Sequence, residues 1–176
     1  MKELLEIDKK NYDENGSIGR RPSVRGIIIK DGKIAMMHSL KYNYYKLPGG
    51  GIEPGETLIE TLIREVLEES GLSVIPDGIK EFGYVRRIEK GRIEDIFIQD
   101  NYYFLCDVFN EVSVQRLDDY ERYEEFTLEF VEPYHAIRVN NEEMHFEKSL
   151  EQTFVGMIDR ENRVLEMIVK ELKEKF

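Results

Sequence analysis

Between Thr57 and Ser70 the apolar residues Ile59, Leu62, Ile63, Val66 and Leu67 recur at three- and four-residue intervals. That period winds them onto one stripe of an α-helix. Gly71 follows as a C-terminal stop, and Pro54-Gly55 stands just before the start. Upstream, Ser23 to Ile29 and Lys33 to His38 are β-rich runs joined by Asp31-Gly32, a hairpin signal. Tyr44 to Leu47 is a short extended piece that leads into a glycine-rich loop. Downstream, Lys80 to Glu89 and Ile93 to Phe109 read as two longer strands separated by a turn around Gly91, and Thr127 to Val131 alternates as another. Pro133 opens a short helix through about Val139. Glu143 to Phe154 and Asp159 to Lys175 read as helices, the latter with Val164, Leu165, Ile168, Val169 and Leu172 on one side. No repeat, low-complexity segment or linker interrupts this order. The pattern predicts one α+β domain over residues 1–176, with C-terminal helices from about 143.

Composition narrows what such a domain can do. With 176 residues, 41% hydrophobic and 11% aromatic, the chain can build a single core and is not a disordered one. The net charge of −11 makes it a poor partner for polymeric nucleic acid or an anionic membrane, both of which favour basic surfaces. A small phosphorylated ligand is compatible only if cations mediate. The single Cys106 excludes an internal disulfide and suits a reducing compartment; flanked by Tyr102, Tyr103, Phe104 and Leu105, it reads as a buried core thiol. The N-terminus MKELLEIDKKNYDENG carries no apolar h-region, and no run approaches membrane-spanning length, so a cytoplasmic protein is expected.

The chemistry concentrates in Gly50 to Leu72, GGIEPGETLIETLIREVLEESGL. Glu65, Glu68 and Glu69 stand at i, i+3 and i+4, which predicts three carboxylates sharing the face opposite the apolar stripe. Like charges so spaced each cost a helix about 0.2–0.5 kcal/mol, and a hard divalent cation with oxygen ligands would offset that repulsion. Arg64 lies between the two faces, one turn from Glu60 and Glu68, where a guanidinium can hold a carboxylate in one rotamer by a bidentate pair. The preceding loop, Leu47 to Gly55, holds four glycines and two prolines in nine residues. It lets backbone groups approach a ligand closely, and no Gly-Lys-Ser/Thr closes it into a phosphate cradle. The competing reading of the glutamates is a plain solvated helix face.

Gly50, Glu56, Arg64, Glu65, Val66, Glu68, Glu69, Gly71 and Leu72 fill a spaced pattern, G-x5-E-x7-R-E-U-x-E-E-x-G-U with U a bulky aliphatic. A chance match has a likelihood on the order of one in 10^5. The segment resembles the Nudix box, and the Leu47-Pro48-Gly49-Gly50 entry is also similar to the family, with Tyr45 where relatives often carry Trp. The resemblance implies the Nudix fold, a mixed β-sheet sandwiched between helices. It also implies a metal-dependent hydrolase in which water attacks phosphorus in the pyrophosphate linkage of a nucleoside diphosphate derivative or nucleoside triphosphate. By the same resemblance Glu65, Glu68 and Glu69 hold Mg²⁺, or alternatively Mn²⁺, with the carbonyl of Gly49 or Gly50 as a further ligand. Glu56 and Arg64 form a supporting pair, and Glu65 is the expected base. A downstream loop carboxylate serves instead in some members, for which Glu124 and Glu125 are the candidates.

Weaker signals remain open. Arg20-Arg21, Arg25 and Arg86-Arg87 are basic islands that could bind distal phosphates or make surface ion pairs. The histidines His38, His135 and His145 lack metal-ligand spacing. Subgroup markers of the family, a Pro or a Tyr beyond the box, are absent, because Arg87, Ile88 and Glu89 occupy those places. The rival readings are a non-catalytic nucleotide-sensing Nudix domain and an isoprenoid diphosphate isomerase with a catalytic Cys. A homodimer is compatible with the chain.

Overall fold

A computed structural model describes residues 1–142, 145, 148 and 150–176, without the side chains of 152 and 153. Strands β1 (Glu3–Asp8), β2 (Ile18–Arg20), β3 (Ser23–Ile27), β4 (Ile29–Lys30), β5 (Lys33–Ser39) and β6 (Tyr44–Lys46) lead into helix α1 (Leu58–Ser70). After it come β7 (Leu72–Val74), β8 (Lys80–Lys90), β9 (Ile96–Leu105), β10 (Val108–Val112), α2 (Asp119–Tyr123), β11 (Phe126–Val131), α3 (Pro133–Asn140) and α4 (Gln152–Glu171). One mixed sheet runs β1-β8-β9-β2, with β3 also on β9; a second runs β11-β5-β4, with β6 on β5. The β8–β9 pair is antiparallel, while β1, β2 and β3 join in parallel.

Neighbouring residues of one strand serve two cores, which is what makes this a sandwich. On β5, Ile34 and Met36 pack with Ala136 and Ile137 of α3 and Val164, Leu165 and Ile168 of α4, whereas Ala35 packs with Leu62 and Val66 of α1. Tyr103 and Phe104 of β9 divide in the same way. Side chains alternate across a strand, so helices cover both faces. The expected α+β architecture, mixed strands between helices, is the one observed.

Several boundaries move, for tertiary reasons. The expected strand Ser23 to Ile29 breaks at Ile28, where the chain passes from the first sheet into the second. Asp31 (φ 51°) and Gly32 (φ 72°) do form the tight turn between β4 and β5. The expected strand Ile93 to Phe109 is two strands, because β9 pairs with β8 and β10 turns away to β7. Ile93 itself is 93% exposed. The charged N-terminus contributes an edge strand, β1, that local pattern did not suggest. The single helix α4 begins before the expected Asp159; of the expected helix 143–154, residues 143, 144, 146, 147 and 149 lie outside the described residues. Among the described residues, no helix is long and apolar enough to cross a membrane.

Candidate active site

The glycine loop is laid along β3 as if it were another strand. Gly26 N–H donates to the Pro48 carbonyl and Val24 N–H to that of Gly50, both at 2.9 Å. Gly49 takes φ +136°, and a Cβ there would sit 2.2 Å from the Val24 carbonyl oxygen, so no other residue fits. A Cβ on Gly50 would lie 2.2 Å from Oε2 of Glu65. The absence of a side chain at Gly50 therefore lets the Glu65 carboxylate press against the loop.

Helix α1 meets this loop with its N-terminus fixed. Thr57 Oγ1 accepts from Glu60 N–H (3.2 Å) and Glu60 Oε2 accepts from Thr57 N–H (2.8 Å), a reciprocal cap. Glu60 is thereby committed to the cap rather than to Arg64. Gly71 ends the helix at φ 75°. The buried line of α1 is Leu62, Val66 and Glu69, with Ile59 38% exposed. This corrects the expectation of three carboxylates opposite the apolar stripe. At 3.6 residues per turn Glu69 stacks above Val66 and Leu62, and only Glu65 and Glu68 flank Arg64.

Arg64 organises the outer part of the site. Its Nε and Nη2 donate to Glu56 Oε1 and Oε2 at 2.6 and 2.7 Å; Nη1 reaches Glu65 at 2.7 Å and Glu68 at 3.2 Å; Nη2 also meets the Gly51 carbonyl at 3.3 Å. This fork holds the Glu56 carboxyl down to about 2. Burial raises the proton affinity of Glu65 even though Arg64 opposes it. The expected Glu56–Arg64 pair is thus present.

The inner part centres on a residue that sequence reasoning missed. Lys46, 3% exposed on β6, places Nζ 2.5 Å from Glu69 Oε1 and 3.7 Å from Glu121. The other Glu69 oxygen accepts the Gly49 N–H at 2.7 Å. A lone lysine inside Tyr44-Tyr45-Lys46-Leu47 was the available signal, because a buried ammonium requires an anionic partner. Glu121, on α2, was hidden in the charged run Asp118 to Glu125.

Glu65 and Glu121 line one polar cavity of about 380 Å³ together with Arg21, Arg25, Gly49 and Gly50. Glu124 and Glu125 do not line it. The Glu124 carboxylate is taken by the Tyr44 hydroxyl (2.6 Å) and Lys148 (2.9 Å), and Glu125 is exposed at φ 57°. Among the described residues, no three acidic, histidine or cysteine side chains already stand at ligand spacing. The donors are nonetheless the hard oxygens a divalent cation takes. The Gly49 and Gly50 carbonyls, accepting from Arg25 and from Val24 N–H, each retain a second lone pair.

Burial, then repulsion from Glu69, raises the Glu121 carboxyl to about 7 from its ordinary 4.5. Below pH 4.5 folded and unfolded chains both carry this proton. As pH rises from there to about 7, the unfolded chain releases it first and stability falls; above 7 the loss is complete. Glu121→Gln removes the penalty, which is at most about 3 kcal/mol. The variant is therefore expected to melt above the parent at pH 8, by a margin that shrinks by more than half at pH 5.5. A margin independent of pH would show that Glu121 ionises normally.

Cys106 is 3% exposed and its thiol is pushed up to about 12 by burial, so it stays protonated and is no nucleophile.

The fold and the loop-helix geometry agree with the comparisons. The family model for the NUDIX domain matches residues 19–150, and the chain belongs to the Nudix hydrolase family. The ADP-ribose pyrophosphatase of Methanocaldococcus jannaschii is 48% identical over 54 residues, which are 28% of this chain and 31% of that protein. The match thus spans about a third of that relative's length. Among solved structures, the E. coli ORF135 protein superposes with a TM-score of 0.51 at 21% identity, covering 69% of this chain and 80% of that one. A NUDIX hydrolase from Nitrosomonas europaea gives 0.51 at 18% identity, covering 80% and 87%. At such identities these superpositions speak for the fold alone.

Proposed function

We propose that this protein is a metal-dependent hydrolase that cleaves the pyrophosphate linkage of a nucleoside diphosphate derivative or nucleoside triphosphate by attack of water on phosphorus. The observation that carries the proposal is the Glu65 carboxylate, clamped through Arg64 to Glu56, pressed against Gly50 and lining the polar cavity. Glu65 and Glu68 would hold Mg²⁺, with Mn²⁺ as the alternative, helped by a carbonyl of Gly49 or Gly50; Glu69, whose oxygens meet Lys46 and the Gly49 N–H, would join them only by giving up the Lys46 pair. A cation held there would neutralise phosphate oxygens and lower the pKa of a bound water. Glu65 takes the water's proton, and Arg64 keeps its carboxylate aimed. Glu121, with a carboxyl poised near neutrality and facing the same cavity, takes the place of Glu124 or Glu125 as the downstream carboxylate.

The archaeal relative is named for ADP-ribose, yet this chain has Arg87 and Ile88 where the ADP-ribose type carries Pro. The single buried thiol suits a reducing cytoplasm.

Metal dependence separates this function from the alternative, a non-catalytic nucleotide-sensing domain. Phosphate release from a panel of nucleotide derivatives is expected to vanish with a chelator and to return fully with Mg²⁺ or Mn²⁺. Undiminished turnover in metal-free buffer overturns the mechanism, and nucleotide binding with no turnover at any metal concentration favours the sensor.

A further inference from the structure

Midway along α4, Arg160, Glu161 and Asn162 are consecutive polar residues that are all buried, at 1%, 0% and 9% exposure. Successive side chains of a helix point about 100° apart, so the three reach different elements. Arg160 Nη1 donates to Asn101 Oδ1 on β9 at 2.7 Å, and the Ser23 hydroxyl donates to the same oxygen at 2.8 Å. Ser23 is in turn the bridge partner of Gly51. Asn162 Oδ1 accepts from Asn140 of α3 at 3.1 Å, and Asn140 brackets Tyr45 of β6, accepting its N–H at 2.7 Å and donating to its carbonyl at 3.0 Å. Glu161 reaches furthest toward the site. One of its oxygens accepts from Arg160 Nη2 at 2.6 Å, and the other accepts the Leu47 N–H at 3.0 Å.

Leu47 is the residue before Pro48-Gly49-Gly50. Its carbonyl accepts from Arg25 Nη1 at 3.2 Å, and the same nitrogen bonds the Gly49 carbonyl. A continuous run of contacts therefore leads from Arg160 through Glu161, Leu47 and Arg25 to a candidate metal ligand.

The chemistry of this run exceeds what packing requires. A buried N–H needs an acceptor, and a neutral amide supplies one, as Asn140 does for Tyr45. Two residues on, at Leu47, the acceptor is instead a buried carboxylate held by a buried guanidinium. Such pairs are often no more stabilising than apolar side chains of the same volume. What they add is direction, because charge-assisted hydrogen bonds are shorter and stronger than neutral ones.

We propose that Glu161 is a positioning residue for hydrolysis: locked by Arg160, it fixes Leu47 from α4 and so sets the Gly49 and Gly50 carbonyls beside Glu65 for the cation. This rests on the hydrolase function above and gives the C-terminal helix a part in it. Two variants separate reach from charge. Glu161→Asp keeps the charge and a partner for Arg160, but the loss of one methylene withdraws its oxygen from Leu47. Arg160→Met combined with Glu161→Gln removes both charges together, so no buried ion is left unpaired, and keeps an acceptor at full reach.

With the nucleotide that the parent hydrolyses fastest, Glu161→Asp is expected to lose about tenfold or more in kcat while KM stays within about threefold. Its affinity for Mn²⁺ in the absence of substrate, read from the electron paramagnetic resonance of the free ion, is expected to fall by about tenfold. The double variant should keep kcat and Mn²⁺ affinity within about threefold of the parent, rescued by the retained acceptor. Thermal melts identify the variants that fold. Glu161→Asp matching the parent in both readouts, or a double variant that loses as much as Glu161→Asp, overturns the positioning role. If one variant does not fold, the other decides by its own expected outcome; if neither folds, the pair is structural and the role is overturned. The two readings fail separately. A parent that hydrolyses no nucleotide at any metal concentration removes the hydrolase, and the Mn²⁺ affinities still decide the role of Glu161. Equal hydrolysis by parent and variants removes the positioning role and keeps the hydrolase.

Discussion

Glu69→Gln is expected to lower stability by about 3 kcal/mol, whereas Glu68→Gln, two-fifths exposed at the edge of the same helix, stays within about 0.5 kcal/mol of the parent. The difference comes from what each carboxylate faces. Glu69 is 1% exposed and its partner Lys46 is 3% exposed, with 2.5 Å between charged atoms. Neutralising Glu69 leaves a buried ammonium with the Tyr120 hydroxyl at 2.9 Å, the Phe126 ring face at 4.4 Å and the more distant Glu121 at 3.7 Å. An uncompensated buried charge is the costly case. The Gln amide oxygen can still accept the Gly49 N–H, so the loop keeps its anchor. For a chain of this size the midpoint should fall by roughly 6–12 °C. Thermal melts of the metal-free proteins decide it. If Glu69→Gln melts with the parent, the Lys46 pair contributes nothing net, and Glu69 behaves like the exposed carboxylates on the helix.

That pair also marks the limit of what the linear sequence discloses. The hairpin at Asp31-Gly32 and the helix from Thr57 to Ser70 were legible because their causes are local: two residues able to take positive φ, and a period of 3.6 closed by Gly71. The start is fixed by the reciprocal cap of Thr57 and Glu60, a spacing that the reading from Pro54-Gly55 passed over. The split between β9 and β10 was not legible. The apolar run is continuous there, and only the change of partner from β8 to β7 divides it. Strand β1 is likewise made by its partner, since ELLEID has two adjacent leucines and no clean alternation. In the site, spacing set Arg64 beside Glu68, where it lies, and beside Glu60, which caps the helix instead; the pairing with Glu56 came from the resemblance. The spacing of the glutamates alone misplaced Glu69, which follows Leu62 by seven residues and Val66 by three, so that helix period turns it onto the buried line, where Lys46 of β6 meets it. It missed Glu121, brought in by a short helix dozens of residues away.

Arg64→Lys is expected to lower kcat by about a hundredfold while KM moves only a few-fold. Arg64 makes five contacts with N–H donors in a fixed plane: two to Glu56, one each to Glu65 and Glu68, and one to the Gly51 carbonyl. A lysine keeps the charge and offers three donors on one tetrahedral nitrogen, too few and too compact to hold Glu56 in a fork and still reach Glu65. Glu65 then loses the restraint on its rotamer, and displacements of about 1 Å near reacting atoms cost on the order of a hundredfold in rate. Arg64 itself lies behind Glu65 and does not line the cavity, so ground-state binding of substrate should change little. An interaction realised chiefly in the transition state is lost in kcat and kcat/KM together. Steady-state kinetics at saturating Mg²⁺ distinguish the cases. If KM rises tenfold or more while kcat stays near the parent's, Arg64 contacts the substrate and does not act through Glu65.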